Sequence, residues 1–231
     1  MALLEVCCGN LESVDAAVAG GASRIELCAD LESDGLTPPV EWIRDVEARY
    51  PSLTVHVLIR PRAGDFVYSP EEADTMIQQT EMALEAGADG IVVGGLTSSR
   101  DVDRPLMERV VSLVKSLQDR PVSLTFHRAF DRCRRPFGAM EQIIDLGFDR
   151  ILTSGQGPTV IEGADMLREL QRRARGRIGI LPGGGVTPRN AARILAATGC
   201  AEIHASASVT IDGKKVTEAE IVTAILQSIS S

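Results

Sequence analysis

A glycine recurs at four places where a helical pattern gives way to a short apolar run. Gly21-Ala22-Ser23 precedes Arg24-Ile25-Glu26-Leu27, and Gly87-Ala88-Asp89 precedes Gly90-Ile91-Val92-Val93. Gly147-Phe148-Asp149 precedes Arg150-Ile151-Leu152-Thr153, and Gly199-Cys200-Ala201 precedes Glu202-Ile203-His204-Ala205. The four glycines are 66, 60 and 52 residues apart. Glycine at such a junction supplies the left-handed residue that ends a helix and turns the chain into the next strand. Each interval has room for two strand-helix units, so four copies predict eight strands and eight helices. That alternation specifies an α/β fold, a (β/α)8 TIM barrel, with residues 1–231 forming a single domain and no linker dividing them. The chemistry of such a barrel gathers at the C-terminal ends of its strands.

The charge balance narrows the partners. With 32 Asp and Glu against 24 Lys and Arg, the chain carries a net charge of −8. Nucleic-acid and anionic-membrane surfaces need clustered positive charge, so neither is expected. No apolar run approaches the roughly 18 residues of a membrane span. The first residues, from Met1 to Cys8, read as a strand rather than a signal peptide. Five cysteines, an odd number without small-domain spacing, read as free thiols in a reducing, cytoplasmic compartment.

Strands are predicted near residues 3–8, 24–29, 54–60, 90–95, 121–127, 150–154, 177–182 and 202–206, all rich in Val, Ile and Leu as doubly buried strands should be. Thr37 before Pro38-Pro39 reads as the cap of the second helix. Ser69-Pro70-Glu71-Glu72 opens the third with a cap, a proline and early acids. Thr187-Pro188 does the same for the seventh. Thr210 to Val216 reads as an exposed turn before the last helix.

The polar residues inside these strands are the candidates for function. Alternate residues of a barrel strand face inward. Glu5 and Cys7 share a parity in the first strand, Glu26 and Cys28 in the second, His56, Leu58 and Arg60 in the third. Ser123, Thr125 and His127 share one in the fifth, and Glu202, His204 and Ser206 in the eighth. A strand carboxylate needs a partner when buried. Glu5, Glu26, Arg60, His127 and Asp131 are therefore expected around the upper mouth, with Arg128 beside them. Two arrangements fit these residues. In one they are an acid-base site, where Glu5, Glu26 and His127 move protons, Arg60 and Arg128 hold an anionic group, and Asp131 orients His127 or Arg128. In the other, Arg60 and Arg128 neutralise the glutamates as a salt-bridged plug. His56, lying deeper, reads as a satisfied core histidine.

The loop Pro182-Gly183-Gly184-Gly185-Val186-Thr187-Pro188 follows the seventh strand. Its glycines allow backbone N–H groups to approach a small anionic ligand at a helix N-terminus, with Ser206 adding a hydroxyl; a tight strand-to-helix connection would use glycines equally well. Lys115, Lys214 and Lys215 are the three lysines, and none falls in a predicted strand, which disfavours Schiff-base aldolase chemistry. No HExxH or paired-histidine zinc pattern is present. Cys7 and Cys28 occupy equivalent places in adjacent strands about 4.8 Å apart, so their sulfurs could bracket a soft ion such as Cu(I) or pack as buried thiols. Cys8 points the other way, and Cys133 and Cys200 lie in a loop and a helix-strand junction.

Taken together, several stretches resemble the CutC family of copper homeostasis proteins. They are Glu5-Val6-Cys7, Arg24-Ile25-Glu26-Leu27-Cys28, Gly35-Leu36-Thr37-Pro38, Ile59-Arg60-Pro61-Arg62, Gly64-Asp65-Phe66-Val67-Tyr68, Thr125-Phe126-His127-Arg128-Ala129-Phe130-Asp131, Arg150-Ile151-Leu152-Thr153-Ser154-Gly155 and Pro182-Gly183-Gly184-Gly185. They run from residue 3 to about residue 206. The resemblance implies a (β/α)8 barrel, a cytoplasmic location, self-association into homodimers or homotetramers, and Cu(I) held by Cys7 and Cys28, with no organic cofactor. Where family members often read His-Cys-Ser, this chain has His204-Ala205-Ser206, and Cys8-Gly9-Asn10 departs from the first motif. Both departures weaken a multi-cysteine site and leave the Cys7–Cys28 pair intact. The alternative function is a barrel enzyme, a lyase, isomerase or hydrolase acting on a small anionic metabolite.

Overall fold

The computed structural model describes residues 2–117, 120–211 and 214–230. Eight parallel strands alternate with eight helices: β1 (Leu3–Cys8), α1 (Leu11–Ala19), β2 (Arg24–Leu27), α2 (Val40–Arg49), β3 (Thr54–Leu58), α3 (Pro70–Glu85), β4 (Gly90–Val93) and α4 (Arg104–Leu117) form the first half. β5 (Ser123–Phe126), α5 (Pro136–Leu146), β6 (Arg150–Thr153), α6 (Ala164–Ala174), β7 (Gly179–Pro182), α7 (Ala191–Thr198), β8 (Glu202–Ala205) and α8 (Ala219–Ser230) form the second. The sheet runs β7-β6-β5-β4-β3-β2-β1-β8, and a parallel bridge between Gly183 and His204 brings its two edges together. Among the described residues no helix is long and apolar enough to cross a membrane.

Strand parity divides the molecule into two kinds of interior. One parity, including Leu4, Val6, Ile25, Leu27, Val55, Val57, Ile91, Val93, Phe126 and Ile151, joins the inner faces of the helices in one large apolar core. The other faces the barrel axis. Its apolar part is a small separate cluster of Cys7, Cys28, Leu58 and Val92, with Leu31 packed against it. The remaining axial positions carry charge, hydroxyls, the glycines at 90 and 179, or the buried Leu152 and Leu181. Burial of the outer parity beneath the helices supplies the bulk of the hydrophobic stabilisation, which leaves the axis free to hold a polar network.

The two-unit repeat has a local cause. Gly21, Gly87, Gly147 and Gly199 follow α1, α3, α5 and α7, and all four sit at positive φ, from +74° to +109°. Of the even helices, α2 stops at Tyr50 with φ of −132° and ψ of 65°, and α6 at Arg175, a non-glycine residue in the left-handed region with φ of 50°. Ser69 and Glu72 form a reciprocal capping box on α3, as its sequence predicts. Thr37 does not cap α2, which begins at Val40. Its hydroxyl instead accepts the Arg60 backbone N–H and donates to Gln79, tying the loop before α2 to the end of β3. Thr187 does not start α7 either; a turn in which Asn190 accepts the Thr187 N–H intervenes. The tail folds into an antiparallel hairpin of β9 (Ser208–Ile211) and β10 (Lys214–Thr217) rather than a simple exposed turn; residues 212 and 213 lie outside the described residues. Lys214 and Lys215 thus fall in a strand, but in this hairpin and not in the barrel.

Two glycines separate backbone strain from steric crowding. A Cβ at Gly199 would meet nothing within 4 Å, whereas one at Gly90 would sit 2.4 Å from the buried His56 ring. Gly199→Ala should cost about 1 kcal/mol through its left-handed φ alone. Gly90→Ala should cost more, about 1–3 kcal/mol, by overpacking the barrel axis. Urea unfolding of the two variants measures the difference; equal costs would mean that the His56 ring does not pack against Gly90.

Candidate functional site

The barrel axis is built around the carboxylate of Glu5, which is fully buried. In the register, Glu5 lies level with Arg24 on β2 and with His204 on β8. Its Oε2 is 2.8 Å from Arg24 Nε and 3.0 Å from His56 Nδ1, and its Oε1 is 2.9 Å from His204 Nδ1. His204 makes a directed hydrogen bond to Glu5, while Arg24 Nε and His56 Nδ1 stand within ion-pair distance of it. Beneath this tier, Arg24 and Arg150 both pair with Glu202, and Arg150 also donates to Ser123. Arg24, Arg150 and Glu202 thus join Glu5 in one charge network along the axis.

The surroundings push the two glutamates in opposite directions. Burial by itself would raise the Glu5 carboxyl, but His204, His56 and Arg24 together hold it well below the usual carboxylate range. Burial raises Glu26, and the Glu5 charge adds to that, against the opposing pull of His204. His204 has its Nε2 3.6 Å from Glu26 Oε2. Burial would lower the imidazole, yet hydrogen bonds to Cys7 and Glu5 and the charges of both glutamates raise it well above its ordinary value. His204 thus stands between a carboxyl held low by its partners and one raised by burial.

The thiols sit on this network. Cys7 is level with Glu26, not with Cys28, because β2 is staggered against β1 as closure of a barrel requires. The Cys7 and Cys28 sulfurs are nevertheless 3.7 Å apart, both buried and both free. The Cys28 contact, burial, and the nearby Cys28 and Glu26 charges raise the Cys7 thiol well above its ordinary value. Ligand atoms of Cys7, Glu26 and His204 all lie within 4.8 Å of one another, a grouping able to hold a metal ion. Leu31, from the loop after β2, packs over the pair, and the open Cβ side of Gly35 faces Cys28 Sγ. Cys8 points away from the axis, with its sulfur against the Ser13 and Val6 carbonyls.

The expected single cluster at the mouth is in fact three groups. Glu5 pairs with Arg24 and His204, and Glu26 with His204, not with Arg60 or Arg128. His56, read from the sequence as a satisfied core histidine, is buried and stands 3.0 Å from Glu5. Arg60 binds the carbonyls of Ser33, Gly35 and Gly64, and it shares the Phe66 ring with His127. Asp131 orients Arg128 through Nε at 2.9 Å and accepts the backbone N–H groups of Ser154 and Gln156, so it serves the turn after β6 and not His127. Arg128 also reaches Ser154 Oγ and lies against Gly184. In the glycine loop, the Gly183 N–H is committed to Thr153 O, and Gly184 O accepts from Val160. Ser206 Oγ is 2.9 Å from Ser208 Oγ. Sequence reasoning passed over Arg24, Arg150, Glu202 and His204 as site residues. The available signal was parity, because Arg24 shares the inward face with Glu26, and Glu202 with His204.

The sequence pattern of the CutC family matches residues 2–209. A family protein CutC from Bacteroides fragilis is 48% identical over 90% of this chain and 81% of its own length. A human protein named copper homeostasis protein cutC homolog is 42% identical over 91% of this chain and 75% of its own. A crystal structure of CutC from Streptococcus agalactiae superposes with a TM-score of 0.83 at 32% identity, covering 89% of this chain and all but 1% of that one.

The Glu5 network has a pH signature. A carboxyl held low in the fold contributes stability above its unfolded value, about 4.3 for glutamate, and that contribution is lost as pH falls through the folded value. His204, held high, contributes below about 6.5, and its share is lost as pH rises through its own folded value. Glu5→Gln should therefore be less stable than the parent at neutral pH and show a shallower fall below about pH 4. Chemical denaturation across pH tests this; parallel acid limbs would show that Glu5 is not ionised in the fold.

Proposed function

The chain belongs to the CutC family, and from that premise we propose that it is a copper homeostasis protein whose cargo, Cu(I), is bound by the thiolates of Cys7 and Cys28. The observation that carries this reading is the approach of two free, buried sulfurs to 3.7 Å across β1 and β2. Soft thiolates favour Cu(I) over the hard cations that carboxylates select. His204 and Glu26 stand within ligand distance of Cys7 and would complete or orient the site. That all five cysteines are free supports a reducing, cytoplasmic setting. Action as a single-domain barrel that self-associates into homodimers or homotetramers is carried by the family alone.

Anaerobic competition against a chromogenic Cu(I) chelator tests the ligands. Cys7→Ser and Cys28→Ser should each weaken binding by more than the 10–100-fold that losing a supporting outer group typically costs a metal site. Binding indifferent to both substitutions would remove this assignment.

A second reading is favoured by the opposed glutamates. Glu5, held low, and Glu26, raised by burial, on either side of His204 are two carboxyls whose environments push them apart, a pattern that acid-base catalysis uses. The substrate would be a small anionic metabolite, and the reaction a lyase, isomerase or hydrolase step. His127, Arg60, Arg128 and Asp131 would line its approach, with Gly184, Gly185 and Ser206 at the far rim. In a screen of carboxylated and phosphorylated metabolites, turnover should fall at least about 100-fold in Glu26→Gln, whose fold should persist. Turnover unaffected by that substitution, or none with any substrate, counts against an enzyme at this site.

A further inference from the structure

Arg60 and His127 face the barrel axis from β3 and from the end of β5, on either side of Gly94 at the end of β4. They are 5% and 4% exposed. Neither is part of the Glu5 network, and neither meets a carboxylate within ion-pair distance among the described residues. Three of the five Arg60 N–H donors go to the carbonyls of Ser33, Gly35 and Gly64, at 2.8–3.0 Å. Its Nε is buried without a hydrogen-bond partner. His127 Nδ1 accepts the Ala129 N–H, which places the ring proton on Nε2, and Nε2 is likewise buried and unpartnered. Burial, and then the charge of Arg60, lower His127 to about 3, so the ring is neutral at physiological pH and its Nε2 is a donor.

These two groups are a charge and a donor with no acceptor between them. A buried guanidinium without a counter-charge costs several kcal/mol, and a buried unpaired N–H adds to that. Both side chains lie against one ring: Arg60 Cζ is 5.2 Å from the Phe66 centroid, and the His127 ring centroid is 5.0 Å from it. The His127 ring packs directly on the bare backbone of Gly94, where a Cβ would strike its Nδ1 at 2.7 Å. The phenolic oxygen of Tyr68, on the same loop as Phe66, is also buried and unpartnered.

We propose that Arg60 and His127 form a subsite for a small oxyanion, a carboxylate or a phosphoryl group, at the C-terminal mouth of the barrel and apart from the thiol pair. Such a group supplies what both side chains lack: negative charge for the guanidinium and an acceptor for Arg60 Nε and His127 Nε2. Carboxylate and phosphoryl oxygens match the planar donors of arginine. The Phe66 ring, in contact with both side chains, forms one wall of the subsite. This inference rests on the enzyme reading only for what the anion would be used for. Its test involves neither turnover nor copper, so it can fail while either reading stands.

Inorganic phosphate and acetate, with sodium chloride at matched ionic strength as control, are titrated into the full chain while the His127 ring resonances and the backbone amides of Phe66, Gly94 and Ala129 are followed by NMR, the amides serving as the readout in the His127 variants. Saturable movement with phosphate alone assigns a phosphoryl subsite, and with acetate a carboxylate one. His127→Gln keeps an N–H near the position of Nε2 and should retain binding. His127→Phe keeps the ring and should weaken binding about tenfold. Arg60→Lys, which keeps the charge without the fork, should also weaken it about tenfold. Thermal melts without ligand establish that each variant folds. No saturable change in the parent chain, or the same change with chloride, overturns the subsite, as does undiminished binding by folded His127→Phe.

Discussion

One buried negative charge organises this molecule. Glu5 lies on the axis of the barrel, where a carboxylate is tolerated only if surrounded by donors and positive charge. Arg24, His56 and His204 supply these from the two strands flanking β1 and from the strand beyond β2. Each partner is held by its own contacts: Arg24 by Glu202, His204 by Glu26, and His56 against the bare backbone of Gly90. Removing the side chain at position 90 is therefore part of the same device, since the room it leaves lets His56 turn toward Glu5. The apolar core, outside the sheet, holds the barrel together; the charge network decides what the barrel can contain.

The network also determines the character of the thiols above it. Cys7 is level with Glu26 and within reach of His204, so its proton is held by burial and by neighbouring negative charge. An isolated pair of buried cysteines would be an inert apolar contact. Here the pair adjoins His204 and the Glu26 carboxyl, groups able to take part when a soft ion replaces the thiol protons. The stagger between β1 and β2 makes this possible, because it brings Glu26 beside Cys7 while still allowing the two sulfurs to meet.

Much of the architecture was legible in the chain. The glycines at 21, 87, 147 and 199 mark helix ends at positive φ, and they recur every second unit because α2 and α6 end on Tyr50 and Arg175 instead. The eight strands lie where the apolar runs place them, and inward parity identified Glu5, Cys7, Glu26, Cys28, Arg60 and His127. What parity could not supply was stagger. Level placement of Glu5 with Glu26 made the arginines of the mouth look like their counter-charges, whereas a two-residue offset makes Arg24 the partner of Glu5. The same offset moves Arg60 out of reach and leaves it unpaired. Caps at Thr37 and Thr187 were misread for a related reason: each threonine is followed by a proline and suits a helix start, but tertiary or turn contacts claim it first.

Arg60 connects the two tiers of the mouth. Through Nη1 it holds the carbonyls of Ser33 and Gly35, in the loop whose Leu31 packs over Cys7 and Cys28. Through Nη2 it holds Gly64, in the loop that carries Phe66 across His127. A single guanidinium thus ties down the loops beside both the thiol pair and His127, and it does so with carbonyl dipoles, which take three of its hydrogens without cancelling its charge. A carboxylate in that position would have bound the loops as firmly and neutralised the cation. The use of backbone oxygens instead keeps a full positive charge at the mouth of a chain whose net charge is −8, and a localised positive site in a negative surface is selective for compact anions that can enter it.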